Sequence, residues 1–301
     1  MFRFIDHGGG RRHLRRPRLR RGAMNQLIPN VLTVGALCAG LTAIRFALME
    51  RWEAAVFALV VAGIFDGLDG RAARLLGGGT KFGAELDSLS DFISFGVAPA
   101  IVVYLWSTHE AGGVAWAVSV MFAVCCALRL ARFNTALSDP NPPPYTRNFF
   151  TGVPAPAGAG LAIWPMMLTF EFGSGWFDRP SVNVVVLFVV GLLMVSRVPT
   201  FSIKRVRVPS QHIVPALLII GILMAALASA PWLTLIAVGL VYSASIPIAI
   251  WVFTRARAAY RAHAGAEMPM PPPALPGADE SVSAGREAGP GADANPDTRR
   301  L

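Results

Sequence analysis

Charge is scarce in this 301-residue chain: Asp, Glu, Lys and Arg make up 15% of it, against roughly a quarter in ordinary soluble domains. With 54% of its residues hydrophobic, that deficit excludes a conventional water-soluble domain and places the chain in a bilayer. Cysteine is almost as rare. Cys38, Cys125 and Cys126 all sit in apolar runs, lack metal-ligand spacing and cannot all pair. A disulfide scaffold and a thiolate metal site are therefore excluded, and the three read as small packing residues. Histidine offers no catalytic pairing either: His7 and His13 lie near the N-terminus, and His109, His212 and His263 stand singly in loops or at helix ends.

Arginine is what the chain has in excess. The net charge is +9, but the arginines cluster outside the apolar segments, where orientation and anionic lipid headgroups explain them better than a nucleic acid does. Eight fall within residues 1–24, which contain no apolar stretch to bury and read as a basic, disordered arm. The apolar run that follows, Leu27 to Met49, is too long for a signal-peptide core and reads as a first transmembrane helix. Met24 immediately precedes this membrane part, so Met1 and Met24 both remain open as the start.

A ruler of about 20 apolar residues finds eight candidate spans, at 27–49, 53–76, 84–106, 112–134, 153–172, 182–198, 212–230 and 232–254. The fold class is thus all-α and polytopic. Connections rich in Lys and Arg alternate with poor ones, and placing the rich ones in the cytoplasm puts 24 of the 27 basic residues inside, together with both termini. The transmembrane domain runs over 25–256. Residues 257–301 turn to Pro, Gly, Ala and acidic residues, which cannot bury enough surface to fold, and read as a flexible tail. Trp106, Trp116, Trp164, Trp176 and Trp232 fall near the span ends and read as interfacial belt residues.

Against this apolar background four aspartates stand out: Asp66 and Asp69 in the second span, Asp87 and Asp91 in the third. Each carboxylate near hydrocarbon costs on the order of 3 kcal/mol, so four together mark a functional site. The i, i+3 and i, i+4 spacings put each pair on one helical face, and the short connection between the spans makes them antiparallel neighbours. Two carboxylate pairs form an all-oxygen cage suited to hard cations such as Mg²⁺ or Mn²⁺, without the His or Cys that would favour zinc. Two such ions about 4 Å apart can clamp a diphosphate during displacement at phosphorus. Gly67, Gly70 and Gly83 either admit a ligand to the backbone or let helices pack closely. Arg74 and Lys81 stand at the cytoplasmic mouth. Arg74 is suited to balancing phosphate charge, while Lys81 and Arg71 read as ordinary positive-inside residues.

The spacing Asp66-x2-Asp69-Gly70-x2-Ala73-Arg74-x8-Gly83-x3-Asp87-x3-Asp91 resembles, position for position, the signature of the CDP-alcohol phosphatidyltransferase family. The resemblance implies a six-helix catalytic core, usually a homodimer, in which Asp66, Asp69, Asp87 and Asp91 hold two divalent cations. It also makes Asp91 the general base toward the acceptor hydroxyl, and has Gly70, Ala73 and Arg74 receive the CDP moiety of CDP-diacylglycerol. By the same resemblance Asn30, Thr33, Thr80 and Gly83 join that binding site, although Asn30 and Thr33 also read as helix-capping residues.

Further segments are similar to the phosphatidylserine synthase branch of that family: Ile28-Pro29-Asn30-Val31-Leu32-Thr33, Asp91 to Ala100, Arg129-Leu130-Ala131-Arg132-Phe133-Asn134, Gly152 to Pro156, and Leu193-Met194-Val195-Ser196. They imply L-serine as acceptor, a bacterial inner membrane and two helices beyond the core. A serine zwitterion needs a cation for its carboxylate and a polar group for its ammonium. Arg129, Arg132 and Asn134 can supply these, or can anchor a helix end at the headgroups. Glycerol 3-phosphate, inositol phosphate and choline remain alternative acceptors. A cation transporter is the remote alternative from another class, disfavoured because the carboxylates cluster at one helix pair and no internal repeat is visible.

Overall fold

A computed structural model describes residues 21–76, 80–137, 149–196, 198–201 and 213–266. Residues 1–20 of the arm, 267–301 of the tail, and the expected loop residues 77–79, 138–148, 197 and 202–212 lie outside the described residues.

Among the described residues, each of the eight expected spans is helical, with boundaries that differ in detail. Helix α1 covers Arg21–Leu48 and α2 Trp52–Leu76. The third rod is built of α3 (Lys81–Asp91), a π-helical segment (Phe92–Val97) and α4 (Ala98–Trp106). Then come α5 (Gly113–Leu137), α6 (Ala155–Ala162), α7 (Trp164–Phe172), α8 (Pro180–Val195), α9 (Ile213–Ser229) and α10 (Pro231–Ala266). Among the described residues, four stretches are long and apolar enough to cross a membrane: Leu27–Leu48, Lys81–Trp106, Gly113–Ala136 and Pro231–Arg255. Helix α2 has the length but carries Glu53, Asp66, Asp69, Arg71 and Arg74. Helix α10 continues as helix to Ala266, past the expected domain end at 256.

The span expected at 153–172 is not one helix. It breaks at Ile163 (φ −89°, ψ 0°), because Pro165 opens α7 and can neither donate to nor pack against the carbonyl one turn back. A second departure is a small antiparallel ladder, in which β1 (Phe149–Thr151) pairs with β2 (Pro199–Phe201). It ties the start of α6 to the chain beyond α8, with Gly152 N–H donating to Val198 O at 2.8 Å. Trp106, Trp164 and Trp232, expected in the belt, instead pack against the core, and Trp164 Nε1 donates to Ile236 O at 3.3 Å. Cys125 and Cys126 are buried as expected, whereas Cys38 is exposed.

Along α1 and α2, small residues dominate the contacts and many large ones face outward. Ala36, Ala43 and Ala47 of α1 and Ala55, Ala58 and Ala62 of α2 are buried, while Val31, Leu41 and Leu48 of α1 and Phe57, Val61 and Ile64 of α2 are exposed. In lipid a large apolar side chain gains nothing by turning inward, so the backbones that approach closely are those with small side chains. Helix α1 uses this to pack along α2 and against α3, the π segment and α4. Two serines one turn apart complete the junction: Ser90 Oγ donates to Thr33 O (3.0 Å) and Ser94 Oγ to Ala36 O (3.1 Å).

The π segment directly follows Asp91, and Ala98 N–H reaches back five residues to Ile93 O. The wider turn accommodates Pro99, which lacks the N–H an α-helical turn would use there. It also brings Gly96 against Cys126 of α5, where a Cβ would lie 3.0 Å from the cysteine Cβ.

At Gly40 a Cβ would stand 2.6 Å from Ser94 Oγ and 2.9 Å from Ser94 Cα. Gly40→Ala is therefore expected to lower stability by about 1–3 kcal/mol, the usual range for overpacking. Gly160→Ala, whose added methyl would meet nothing within 4 Å, serves as control. Thermal unfolding in detergent checks this, and equal midpoints for the two variants would show that α1 and the π segment have room to spare.

Candidate active site

The site begins where α2 becomes polar. Asp66 and Asp69 fall near its C-terminal end, one turn apart, and Asp87 lies in α3. Carboxylate oxygens of these three residues lie within 4.8 Å of one another. Asp91, at the end of α3, is within hydrogen-bonding reach of Asp66 and in the field of Asp69 and Asp87, so all four aspartates share one cluster.

Sequence reasoning makes the second and third spans neighbours, and in the structure α2 packs against the π segment and α4 of the third rod while its carboxylates meet that of α3. Helix α1 packs against both, and a gap opens beside the carboxylates. The gap is a cavity of about 190 Å³ lined by Pro29, Asn30 and Thr33 of α1, Asp69, Gly70 and Ala73 of α2, and Thr80, Gly83, Ala84 and Asp87 at the start of the third rod.

Thr33 is the joint among the three helices. Its hydroxyl, 2.8 Å from Asp69 Oδ2 and 3.1 Å from Pro29 O, donates toward both, and its carbonyl accepts from Ser90. Thr33 and Asp69 are each only 4% exposed, so this hydrogen bond fixes the orientation of the carboxylate. Thr80 caps α3, with extended backbone and Oγ1 accepting from Gly83 N–H at 2.9 Å.

The glycines divide. A Cβ at Gly67 or Gly70 would meet nothing within 4 Å, so helix packing does not account for them. At Gly83 a Cβ would lie 2.8 Å from Asn30 Oδ1, so there the missing side chain lets α1 approach α3.

Of the other expected site residues, Arg74 is exposed and does not line the cavity, as Arg71 and Lys81 also do not. The trio on α5 separates. Arg132 Nη1 donates to Val195 O at the end of α8 (2.6 Å), and Asn134 Nδ2 donates to Ser88 Oγ beside Asp87 (2.9 Å). Arg129 alone points inward: it is 8% exposed and lies in the field of Asp91. Ser90 and Ser94 escaped sequence reasoning, although their i, i+4 spacing next to Asp91 was a signal for a helix contact.

Like charges at this spacing repel by on the order of 3–4 kcal/mol per pair at an effective dielectric of 20, so an ionised cluster calls for cations. The donors present fit a hard divalent ion: clustered carboxylate oxygens, with no histidine or cysteine in the group among the described residues.

Helices that turn large apolar side chains outward around such a cluster define a multi-pass membrane protein with a site of the hard-cation, phosphate-handling type. The chain belongs to the CDP-alcohol phosphatidyltransferase family, whose model matches residues 26–196. A second model, CDP-alcohol phosphatidyltransferase 2, matches residues 212–247. The family is in general divalent-metal dependent. Similar proteins include the CDP-diacylglycerol–serine O-phosphatidyltransferase of Mycobacterium leprae, 43% identical over 237 residues that cover 78% of each chain. The protein of that name from Mycobacterium tuberculosis is 41% identical over 235 residues, 78% of this chain and 82% of the relative. That of Helicobacter pylori is 37% identical over 183 residues, 60% of this chain and 74% of the relative.

Thr33→Val keeps the shape of the side chain and removes its hydrogen bond to Asp69. By the usual effect of outer-shell partners, the divalent-cation concentration giving half-maximal activity should rise about tenfold or more. Titrating activity with Mg²⁺ or Mn²⁺ checks this, and an unchanged midpoint would remove Thr33 from any positioning role.

Proposed function

We infer that this chain moves the phosphatidyl group of CDP-diacylglycerol onto the hydroxyl of L-serine, forming phosphatidylserine and releasing CMP. The observation that carries this reading is the family's aspartate spacing folded into one carboxylate cluster at a cavity that Asp69 and Asp87 help to line. Relatives named for this reaction, aligned over 78% of the chain, support serine as the acceptor.

In this reading Asp66, Asp69, Asp87 and Asp91 hold two divalent cations, Mg²⁺ or Mn²⁺. When bound, such ions supply positive charge for the diphosphate and for the departing CMP. Asn30, Thr33, Gly70, Ala73, Thr80 and Gly83 receive the nucleotide end of CDP-diacylglycerol in the cavity they line, with its acyl chains in lipid. Arg74, exposed beside this cavity, adds charge balance for phosphate once the substrate is in place. Asp91 accepts the proton of the serine hydroxyl. The serine oxygen then bonds to the phosphorus bearing diacylglycerol, as the bond from that phosphorus to the CMP oxygen breaks. Arg129, buried beside Asp91, pairs with the acceptor carboxylate, while Arg132 and Asn134 shape the pocket's outer edge through Val195 and Ser88.

The catalytic domain comprises residues 25–256, flanked by a basic arm over 1–24 and a tail over 257–301. Both termini face the cytoplasm of a bacterial inner membrane, as the excess of Lys and Arg in alternate connections supports. A homodimer is the proposed assembly.

Asp91→Asn keeps the side chain's shape but cannot take up the hydroxyl proton. Transfer should fall at least a hundredfold, the lower range for loss of a general base, while the protein still inserts in the membrane. CMP release from CDP-diacylglycerol by purified protein, measured with L-serine, glycerol 3-phosphate, inositol phosphate and choline in turn, tests both base and acceptor. Near-normal turnover in the variant would acquit Asp91, and stimulation by an alcohol other than serine would reassign the acceptor.

A further inference from the structure

A serine inside a helix commonly gives its hydroxyl proton to a carbonyl one turn back in the same helix. Ser88 does so, donating to Ala84 O at 3.0 Å, and so does Ser119, donating to Ala115 O at 2.9 Å. Ser90 and Ser94 do not. Ser90 Oγ reaches across to Thr33 O at 3.0 Å and Ser94 Oγ to Ala36 O at 3.1 Å, both on α1, and both serines are buried. These two bonds fix the height of the third rod along α1.

The two bonds end on different partners. Ser94 stands in the π segment, and Ala36, which it meets, has only a methyl group with which to pass the contact on. Ser90 stands between the carboxylates of α3, with Asp91 directly after it and Asp87 one turn before it. Its acceptor is the backbone of Thr33, the residue whose side chain holds Asp69 Oδ2 at 2.8 Å. One residue of α1 thus takes a bond from the helix of Asp87 and Asp91 and gives one to a carboxylate of α2. Ser90, Thr33 and Asp69 are 2%, 4% and 4% exposed, so water does not compete for either bond.

Height matters because the carboxylates come from different helices. A hard divalent ion needs its ligand oxygens placed to about 0.2 Å, whereas a slip of one residue along a helix is about 1.5 Å. With oxygens of Asp66, Asp69 and Asp87 within 4.8 Å of one another, a fraction of that slip would spoil the shared site.

We propose that Ser90 is a positioning residue for the divalent-cation site: acting through Thr33, its hydrogen bond sets Asp87 and Asp91 at the level of Asp69. Ser90 does not line the cavity, and its influence runs through the helix junction. The inference rests on the reading above that the carboxylates hold divalent cations, and it adds to that site a residue outside the aspartate signature.

The test is Mn²⁺ binding to the substrate-free full chain in detergent, measured by isothermal titration calorimetry. Ser90→Ala removes the hydroxyl alone. The Kd for Mn²⁺ should rise about threefold, the worth of an average interhelical hydrogen bond in a membrane protein. Ser94→Ala deletes the same kind of bond one turn further on, so it controls for a loosened junction and should leave the Kd unchanged. In Thr33→Val protein, adding Ser90→Ala should weaken binding no further, because the route to Asp69 is already cut. Ser90→Cys, with a weak donor of similar shape, should raise the Kd in the same direction and decides the matter where the alanine variant does not fold. A Kd that stays put without the Ser90 hydroxyl, that rises equally in Ser94→Ala, or that is additive in the double variant would overturn the positioning role alone. Wild-type protein that takes up no Mn²⁺ would instead overturn the cation reading, and the role of Ser90 with it.

Discussion

Holding Asp66, Asp69 and Asp87 within 4.8 Å of one another inside an apolar bundle is the demand that the surrounding helices meet. Carboxylates so placed push apart, and a pair of helices carrying them would splay unless fixed from outside. Helix α1 does the fixing. It packs along α2 through alanines, takes hydrogen bonds from Ser90 and Ser94 onto its own carbonyls, and gives one from Thr33 to Asp69. Because α1 holds both partners, a space is left between the polar end of α2 and the start of the third rod, and residues of all three helices line it as the cavity. The same arrangement makes the first helix part of the site rather than a mere anchor.

That role explains which features were legible beforehand. Ionisable residues are so costly in apolar helices that Asp66, Asp69, Asp87 and Asp91 announced themselves, and their i, i+3 and i, i+4 spacing already placed each pair on one face. Asn30 and Thr33 could be recognised only through resemblance, since a polar residue at a helix start also reads as a cap. Ser90 and Ser94 offered a signal in their i, i+4 spacing, but an ambiguous one: a serine in a membrane helix satisfies itself within its own turn as readily as it bridges to a neighbour. The bonds to Thr33 O and Ala36 O, and the close approach of Gly40 to Ser94, are tertiary facts.

The misjudged elements have equally specific causes. A hydropathy ruler averages over about 20 residues, so it joined α6 and α7 across Ile163 although Pro165 stands at the break. The ladder of β1 and β2 has three residues per strand, separated by a helix and more. Neither strand carries an alternating pattern long enough to register.

The three polar residues at the end of α5 show how the fold resolves an ambiguity that composition cannot. Arg129, Arg132 and Asn134 span less than two helical turns, and all three could face an acceptor or the headgroups. The end of α8 takes the Arg132 guanidinium through Val195 O, and Ser88 takes Asn134. Only Arg129 is carried into the interior, because α5 turns that face toward the π segment where Gly96 meets Cys126, one turn before it. A buried guanidinium without a full set of partners is tolerable beside the carboxylates, whose charge offsets its own. The aspartate cluster thereby makes an inward arginine affordable at that one position: Arg129 stands in the field of Asp91, while Arg132 and Asn134 are taken up by Val195 O and Ser88.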